Sequence, residues 1–384
     1  MKKNIAIYLS GAHSLKGGGG VERFFSDFFT IYSRQLNSQF NLFYFLDKST
    51  YNALLEVNKL TSDSKNIVLL KNVSNRFKRQ VENIDLYHKI KKYKIDVFHC
   101  ANYGRQDFER LLFLSKINNR PKLIQNIVDC QIPYKLLAGD KGYYQRYVSQ
   151  PNEIKFDGIY SWYEYYKKYF RENNLLPEQT KIECITSRFV LFKENESQIE
   201  KSNTFIFASR LDNQKKPDWY IHAVKHLVDR KKVDWTNWNF DLYGHGPLLD
   251  ELKTLTVELG LDNIINFKQS NTLHDVFPKT KVYISTQDFE NFPSLSMMEA
   301  MFHRNIILAR NVGQTDLLVK NNTNGFILDE DSPLSLCIKM EGVITLDENE
   351  QLKMMENSKK SMDEIHTPKA FIDQIESFWK NISE

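Results

Sequence analysis

Short apolar runs alternate with segments of helical periodicity along the whole chain, and the alternation occurs twice, on either side of a polar stretch at 186–203. A strand buried on both faces needs such a bounded apolar run, and strands joined through helices pair in parallel. In the first half the runs fall at 5–9, 41–46, 66–70, 96–100, 122–129 and 181–185. Between the first two, Val21, Phe24, Phe25, Phe28 and Tyr32 lie on one helical stripe. The aromatic segment 160–170 reads as a further helix, opening at a serine. In the second half the runs fall at 205–208, 239–243, 264–267, 282–285, 306–308 and 326–328, with helices expected at 218–228, 244–259, 274–277 and 294–302.

This pattern dictates an α/β protein built on doubly wound parallel sheets. A chain of 384 residues is long enough for two such domains, each with its own core. The expected division is 1–189 and 190–368, two facing Rossmann-like domains with a cleft between them. The end, 369–384, carries Phe371, Ile375 and Phe378 on one stripe and is expected to pack back on the first domain.

Composition excludes several classes. The net charge of +4, from 52 basic and 48 acidic side chains, creates no global field for nucleic acid. Cys100, Cys130, Cys184 and Cys337 are far apart and form no CxxC pair, so neither a zinc site nor a disulfide framework is expected from them. The amino-terminal apolar run stops at Leu9, too short for a signal core, and no segment approaches the roughly eighteen apolar residues of a membrane span. A cytoplasmic protein is expected.

Chemistry concentrates where strands give way to helices. Arg210, Lys215 and Lys216 occupy the loop after the 205–208 strand. At the carboxyl edge of a parallel sheet, ahead of a helix amino end, such cations suit a phosphate or diphosphate, although a solvated basic turn has the same sequence. Four glycines at 17–20 either let the backbone approach a ligand or serve as a connector. In STQDFENFPSLSMMEAM, Asp288 and Glu290 precede a helix that carries Glu299, a placement that suits sugar hydroxyls, and the amides at Ser294 and Leu295 offer donors. His99 and Asp129 end two strands of the first half and are the candidates for the acceptor side, although for His99 a half-buried structural role is the plainer reading. The basic, aromatic segment 76–94 is either an amphipathic surface for anionic membrane or a solvated outer helix.

Five segments resemble one family in order and spacing. SRLDNQKKP is similar to the GRLxxxKG loop of the retaining GT-B glycosyltransferases of family 4 (glycosyl transferases group 1). ENFPSLSMMEAM resembles that group's EGFxxxxxEAM loop, DLYGHGP its GxGP turn, NVGQTDLLVKNNTNGFIL its GGxxEIVxxGxxGxLV segment, and GGGGVER its GGxER loop. The resemblance implies that Arg210 and Lys215 hold the diphosphate and stabilise the leaving group. It further implies that Glu299 binds the ribose, that Glu290 faces the donor sugar, and that Gly19, Gly20 and Gly244 allow close backbone approach. No metal or cofactor is implied, since the cations take that role, and the donor in such enzymes is commonly UDP-linked.

Three positions depart from the family pattern. Eight residues separate Glu290 from Glu299 where the family has seven, so either Glu290 or Asn291 fills the first position. Val128 stands where many relatives carry a sugar-contacting histidine. Ser209 replaces the motif's first glycine, and Lys216 follows Lys215 where glycine is usual. The expected function is a metal-independent, retaining hexosyltransferase that moves a sugar from a nucleotide donor to a glycan or lipid-linked acceptor in bacterial surface polysaccharide synthesis, at the inner face of the cell membrane. The alternatives are a non-catalytic binding subunit of the same fold and a nucleotide-sugar epimerase.

Overall fold

The computed structural model describes residues 2–10, 20–35, 38–60, 65–71, 79–102, 108–191, 200–270 and 273–384. The chain divides into two compact units, Met1–Ser187 with Pro368–Glu384, and Arg188–Thr367.

Seven strands form the sheet of the first unit: β1 (Asn4–Leu9), β2 (Asn41–Asp47), β3 (Ile67–Leu70), β4 (Val97–Asn102), β5 (Lys122–Ile127), β6 (Gly158–Ser161) and β7 (Lys181–Cys184). Their order is β3-β2-β1-β4-β5-β6-β7, and every pairing is parallel. The central strand explains why: Ile5, Ala6, Ile7, Tyr8 and Leu9 have no exposed surface, as a strand covered on both faces requires. Residues 160 and 161, expected in a helix, belong instead to β6, and the helix starts at Glu164. Four buried residues paired on both edges leave the segment no helical option, and a Cβ on Gly158 would stand 2.6 Å from Ile382 Cδ1 of the terminal helix. Tertiary packing outweighs the local aromatic pattern here.

That terminal helix, Pro368–Ser383, packs into the first unit. Phe371 meets Phe24 edge-on at 4.9 Å and Phe28 at 5.2 Å, and Trp379 meets Phe40 at 5.7 Å. The hydroxyl of Tyr32 donates to the buried carboxylate of Glu376. Among the described residues no helix is long and apolar enough to cross a membrane.

The second unit holds β8 (Ser202–Ala208), β9 (Asn239–Tyr243), β10 (Ile265–Lys268), β11 (Thr280–Ser285), β12 (Ile306–Ala309) and β13 (Gly325–Ile327), all parallel, in the order β10-β9-β8-β11-β12-β13. Phe205, Phe207, Leu242, Val282, Ile284 and Leu308 form the sheet side of its core, against Tyr220, Val224 and Leu227 of the helix Pro217–Arg230. The helix expected at 274–277 is replaced by two 3-10 turns, Leu273–Asp275 and Phe277–Lys279. Pro278 cannot supply the amide that a continuing helix would need there. In both sheets the strand order reverses at the centre, between β1 and β4 and between β8 and β11. Ligands of doubly wound sheets bind beyond the carboxyl ends of the strands at such a reversal.

Candidate active site

The basic loop leaves β8 and lies flat on the turn that follows β9. Leu211, fully buried, donates its amide to the His245 carbonyl at 2.9 Å and accepts from the Leu248 amide at 3.2 Å. Glycine is required opposite: a Cβ on Gly244 would fall 2.1 Å from the Ser209 carbonyl oxygen, and one on Gly246 would fall 2.3 Å from that of Leu211. On this support the Arg210 guanidinium projects outward, 61% exposed, with its Nε paired to Asp212. The Lys215 ammonium donates to Gln287 Oε1. Lys216, in the left-handed region at φ +50°, precedes Pro217 and turns the chain into its helix.

A second loop leaves β11 and is stitched to the first. Thr286 Oγ1 donates to the carbonyls of Lys215 and Lys216, both at 2.8 Å, and the Asp288 amide donates to the Gln214 carbonyl at 2.9 Å. Arg310 fixes the far side. Its guanidinium grips Asp331 through two bonds of 2.9 and 2.7 Å, reaches Asp288 at 2.6 Å, and lies 4.4 Å from the Trp219 ring. These partners raise the Arg310 pKa against its burial, and Arg310 holds Asp331 below the usual carboxylate range.

Glu290 and Asn291 are neighbours with opposite surroundings. Asn291 has no exposed surface, and its amide is fully used: Oδ1 accepts from Ser285 at 2.7 Å and Gln287 at 3.0 Å, while Nδ2 donates to the Arg310 carbonyl at 2.9 Å and to Thr315 Oγ1 at 2.7 Å. Glu290 Oε1 accepts the amides of Phe292 at 2.9 Å and Gln314 at 2.7 Å, and Oε2 has no hydrogen-bond partner among the described residues. Burial pushes this carboxyl up to about 7 against the opposing pull of backbone amides. Gly313, at φ +53°, makes room for it, since a Cβ there would meet Oε2 at 2.1 Å.

Ser294 caps the helix Leu295–Phe302 by accepting from the Met297 amide at 3.4 Å, and Leu295 is exposed at the helix start. Glu299, on the same helix, is raised to about 7 by burial. Beside it lie two imidazoles: His303 Nε2 is 3.0 Å from His274 Nδ1, and burial lowers His303 to about 3. Between the two loops opens a small polar cavity lined by Ser209, Lys215, Ser285, Thr286, Gln287, Ser294 and Ser296 over Tyr283.

The second unit thus gathers Arg210, Lys215, Gly244, Glu290, Asn291, Ser294, Leu295 and Glu299 at the carboxyl edge of one sheet. The remaining expected residues belong to the first unit. His99 has no exposed surface, accepts from Trp379 Nε1 at 3.2 Å, and is lowered to about 3 by burial, so it is a core residue. Asp129 is half-buried among tyrosines, accepting from Tyr143 at 3.0 Å and from Tyr147 at 3.4 Å, with its carbonyl taken by Tyr166. Val128 accepts through its carbonyl from the Tyr163 hydroxyl at 3.2 Å. Gly20 is the first residue of the helix Gly20–Ser33, whereas Gly19 lies outside the described residues, as do 76–78 of the basic segment. Reading the sequence missed Gln287, Arg310 and Gly313. Gly313 and Gln314 stand in the NVGQTD stretch, whose family likeness was a usable signal. Gln287 and Arg310 carry no such mark.

Residues 191–361 match the family model of glycosyl transferases group 1. The chain is 26% identical over 196 residues to a Campylobacter jejuni α-1,4-N-acetyl-D-galactosaminyltransferase of a GalNAc-containing diNAcBac-PP-undecaprenol, covering 51% of each chain. It is 35% identical over 101 residues to the GtfA subunit of a UDP-N-acetylglucosamine–peptide N-acetylglucosaminyltransferase of Limosilactobacillus reuteri, covering 26% of this chain and 19% of that one. The chain therefore spans about half, or less, of the length of the curated relatives it matches. Among solved structures, Anabaena HepE in complex with UDP superposes with a TM-score of 0.72 at 16% identity, covering 99% of this chain and all of that one. Two doubly wound parallel sheets and the match over residues 191–361 make this a GT-B-fold chain related to the glycosyl transferases group 1 family.

Proposed function

We propose that the chain is a glycosyltransferase that moves a hexosyl group from a UDP-sugar to a glycan or lipid-linked acceptor, with retention and without a metal ion. One observation carries this reading: the loop with Arg210 and Lys215 and the loop with Glu290 leave adjacent strands at the reversal of the second sheet and are bonded to each other. Departure of a nucleoside diphosphate needs fixed positive charge where negative charge develops. Arg210 and Lys215 supply it, joined by the amino end of the helix Pro217–Arg230. Glu299 accepts the ribose hydroxyls, and the unpartnered oxygen of Glu290 accepts from the donor sugar. Asn291, consumed by the fold, leaves that role to Glu290.

The Campylobacter relative, a glycosyltransferase of an undecaprenol-linked glycan, and the UDP complex of HepE support the donor and acceptor classes. The acceptor is assigned to the first unit, on the side of Asp129, in bacterial surface glycan synthesis. The helix Arg79–Lys92 is assigned to contact with anionic membrane at the inner face of the cell membrane. Its Lys89 is bonded to Asp85 at 2.6 Å, whereas Lys91 and Lys92 lie over tyrosine rings at its carboxyl end. Incubation with a panel of UDP-sugars tests the reading. Release of UDP from one of them, undiminished by chelator, is expected, and a converted sugar with no UDP release would make the chain an epimerase instead.

A further inference from the structure

The side chains of His274, His303 and Glu299 each offer one ligand atom, and these atoms all lie within 4.8 Å of one another. Glu299 and His303 stand four residues apart at the end of the helix Leu295–Phe302, so they share a face, and the 3-10 turn Leu273–Asp275 delivers His274 opposite them. Two imidazoles on one tetrahedral ion, with metal–nitrogen bonds of about 2.05 Å, place their nitrogens roughly 3.3 Å apart. Here His303 Nε2 and His274 Nδ1 are 3.0 Å apart. An ion therefore fits with these two nitrogens displaced by only a few tenths of an ångström, the proton they share leaving to solvent or to the other nitrogen of its ring as the ion binds.

We propose that His274, His303 and Glu299 form a binding site for a zinc-class dication, and that the ion excludes the nucleotide by occupying Glu299. Two nitrogens and one carboxylate oxygen suit Zn²⁺ and leave a fourth position for water. Three cations face His303: Lys201, Lys359 and Arg304. Each has its own acceptor, Lys201 the carbonyls of Phe277 and Thr280 at 2.6 and 2.7 Å, Lys359 the carboxylate of Asp363 at 2.6 Å, and Arg304 that of Glu356 at 2.8 Å. They hold zinc affinity below that of a closed structural site, which makes the ion a reversible inhibitor and not part of the fold. The exclusion of nucleotide rests on the ribose role of Glu299 proposed above; the metal site itself does not.

The test titrates chelator-stripped full-length protein with ZnCl₂ by calorimetry, without nucleotide, beside His274→Ala and His303→Gln variants whose thermal melts are checked. One Zn²⁺ per chain is expected, with affinity lower by at least about tenfold in His274→Ala, which alters a half-buried side chain. No binding, or an unchanged isotherm in His274→Ala, overturns the site. UDP is then titrated with and without saturating zinc: weakened UDP binding is expected, and an unchanged UDP affinity overturns the exclusion. A metal-free UDP titration of Glu299→Gln reads the ribose role separately, so its failure is distinguishable from failure of the zinc site.

Discussion

The side-chain amide of Asn291 donates to the main-chain carbonyl of Arg310 at 2.9 Å, tying the loop after β11 to the end of β12. With its other three bonds, this makes Asn291 a structural clamp, while Glu290 beside it keeps one oxygen unpartnered among the described residues. Substitution separates the two roles. Asn291→Ala removes these four buried bonds at once and is expected to cost at least about 2 kcal/mol of stability, read by urea unfolding. Glu290→Gln keeps the oxygen that accepts from Phe292 and Gln314, so unfolding is expected to stay cooperative while UDP release falls by about a hundredfold.

The raised carboxyls give a pH signature. Glu290 and Glu299 both rise from 4.5 to about 7 in the folded chain, so between those values the folded state binds more protons than the unfolded one. Their contribution to stability is therefore greatest below pH 4.5, falls as pH rises through this window, and is lost above about 7. Buried His99, His303 and His366, lowered to about 3, 3 and 4, act in the opposite sense below their ordinary value. The informative quantity is thus the difference between wild type and Glu290→Gln. The variant's melting temperature is expected to gain on wild type from pH 5 to pH 8, and a constant difference would count against a raised Glu290.

Gly313 is coupled to Glu290 through space. A methyl group at Gly313 meets the Glu290 carboxylate and must sit at φ +53°, a conformation that costs an L-residue about 1–2 kcal/mol. Gly313→Ala is expected to lower both stability and UDP release. In the Glu290→Gln background the added loss of UDP release is expected to shrink, because the group displaced is already altered. A double-mutant cycle on UDP release measures it.

Removal of 368–384 is expected to abolish cooperative unfolding of the first unit. Phe371, Ile372, Ile375, Phe378, Trp379 and Ile382 are each at most 4% exposed, and each contributes about 1.5–3 kcal/mol by burial. Their sum reaches the whole stability of an ordinary domain, about 5–15 kcal/mol. Near-ultraviolet circular dichroism of the truncated chain checks this.

The two parallel sheets were legible because buried strands announce themselves as bounded apolar runs. β6 was not, since Gly158–Ser161 owes its strand to pairing with β5 and β7 and to the terminal helix above Gly158. In the second sheet, the placement of the cations and glutamates in loops and a helix at its carboxyl edge was legible. The choice between Glu290 and Asn291 was not, because it depends on which side chain the fold consumes, a matter of contacts from Ser285, Arg310 and Thr315 far along the chain. His99 shows the same limit: its strand position suggested an edge, whereas Phe25, Tyr160 and Trp379 enclose it. The imidazole pair of His274 and His303 joins residues separated by a strand and a helix, which no local pattern marks.

The most direct test of the central claim is UDP release from the accepted UDP-sugar by Arg210→Ala and Lys215→Ala. Arg210 is exposed and Lys215 sits in a loop held by its backbone and by Thr286, so both variants are expected to unfold in urea as wild type does. If these cations stabilise the departing diphosphate, turnover falls by at least about a hundredfold in each. Near-normal turnover in either variant, with intact folding, would contradict the account.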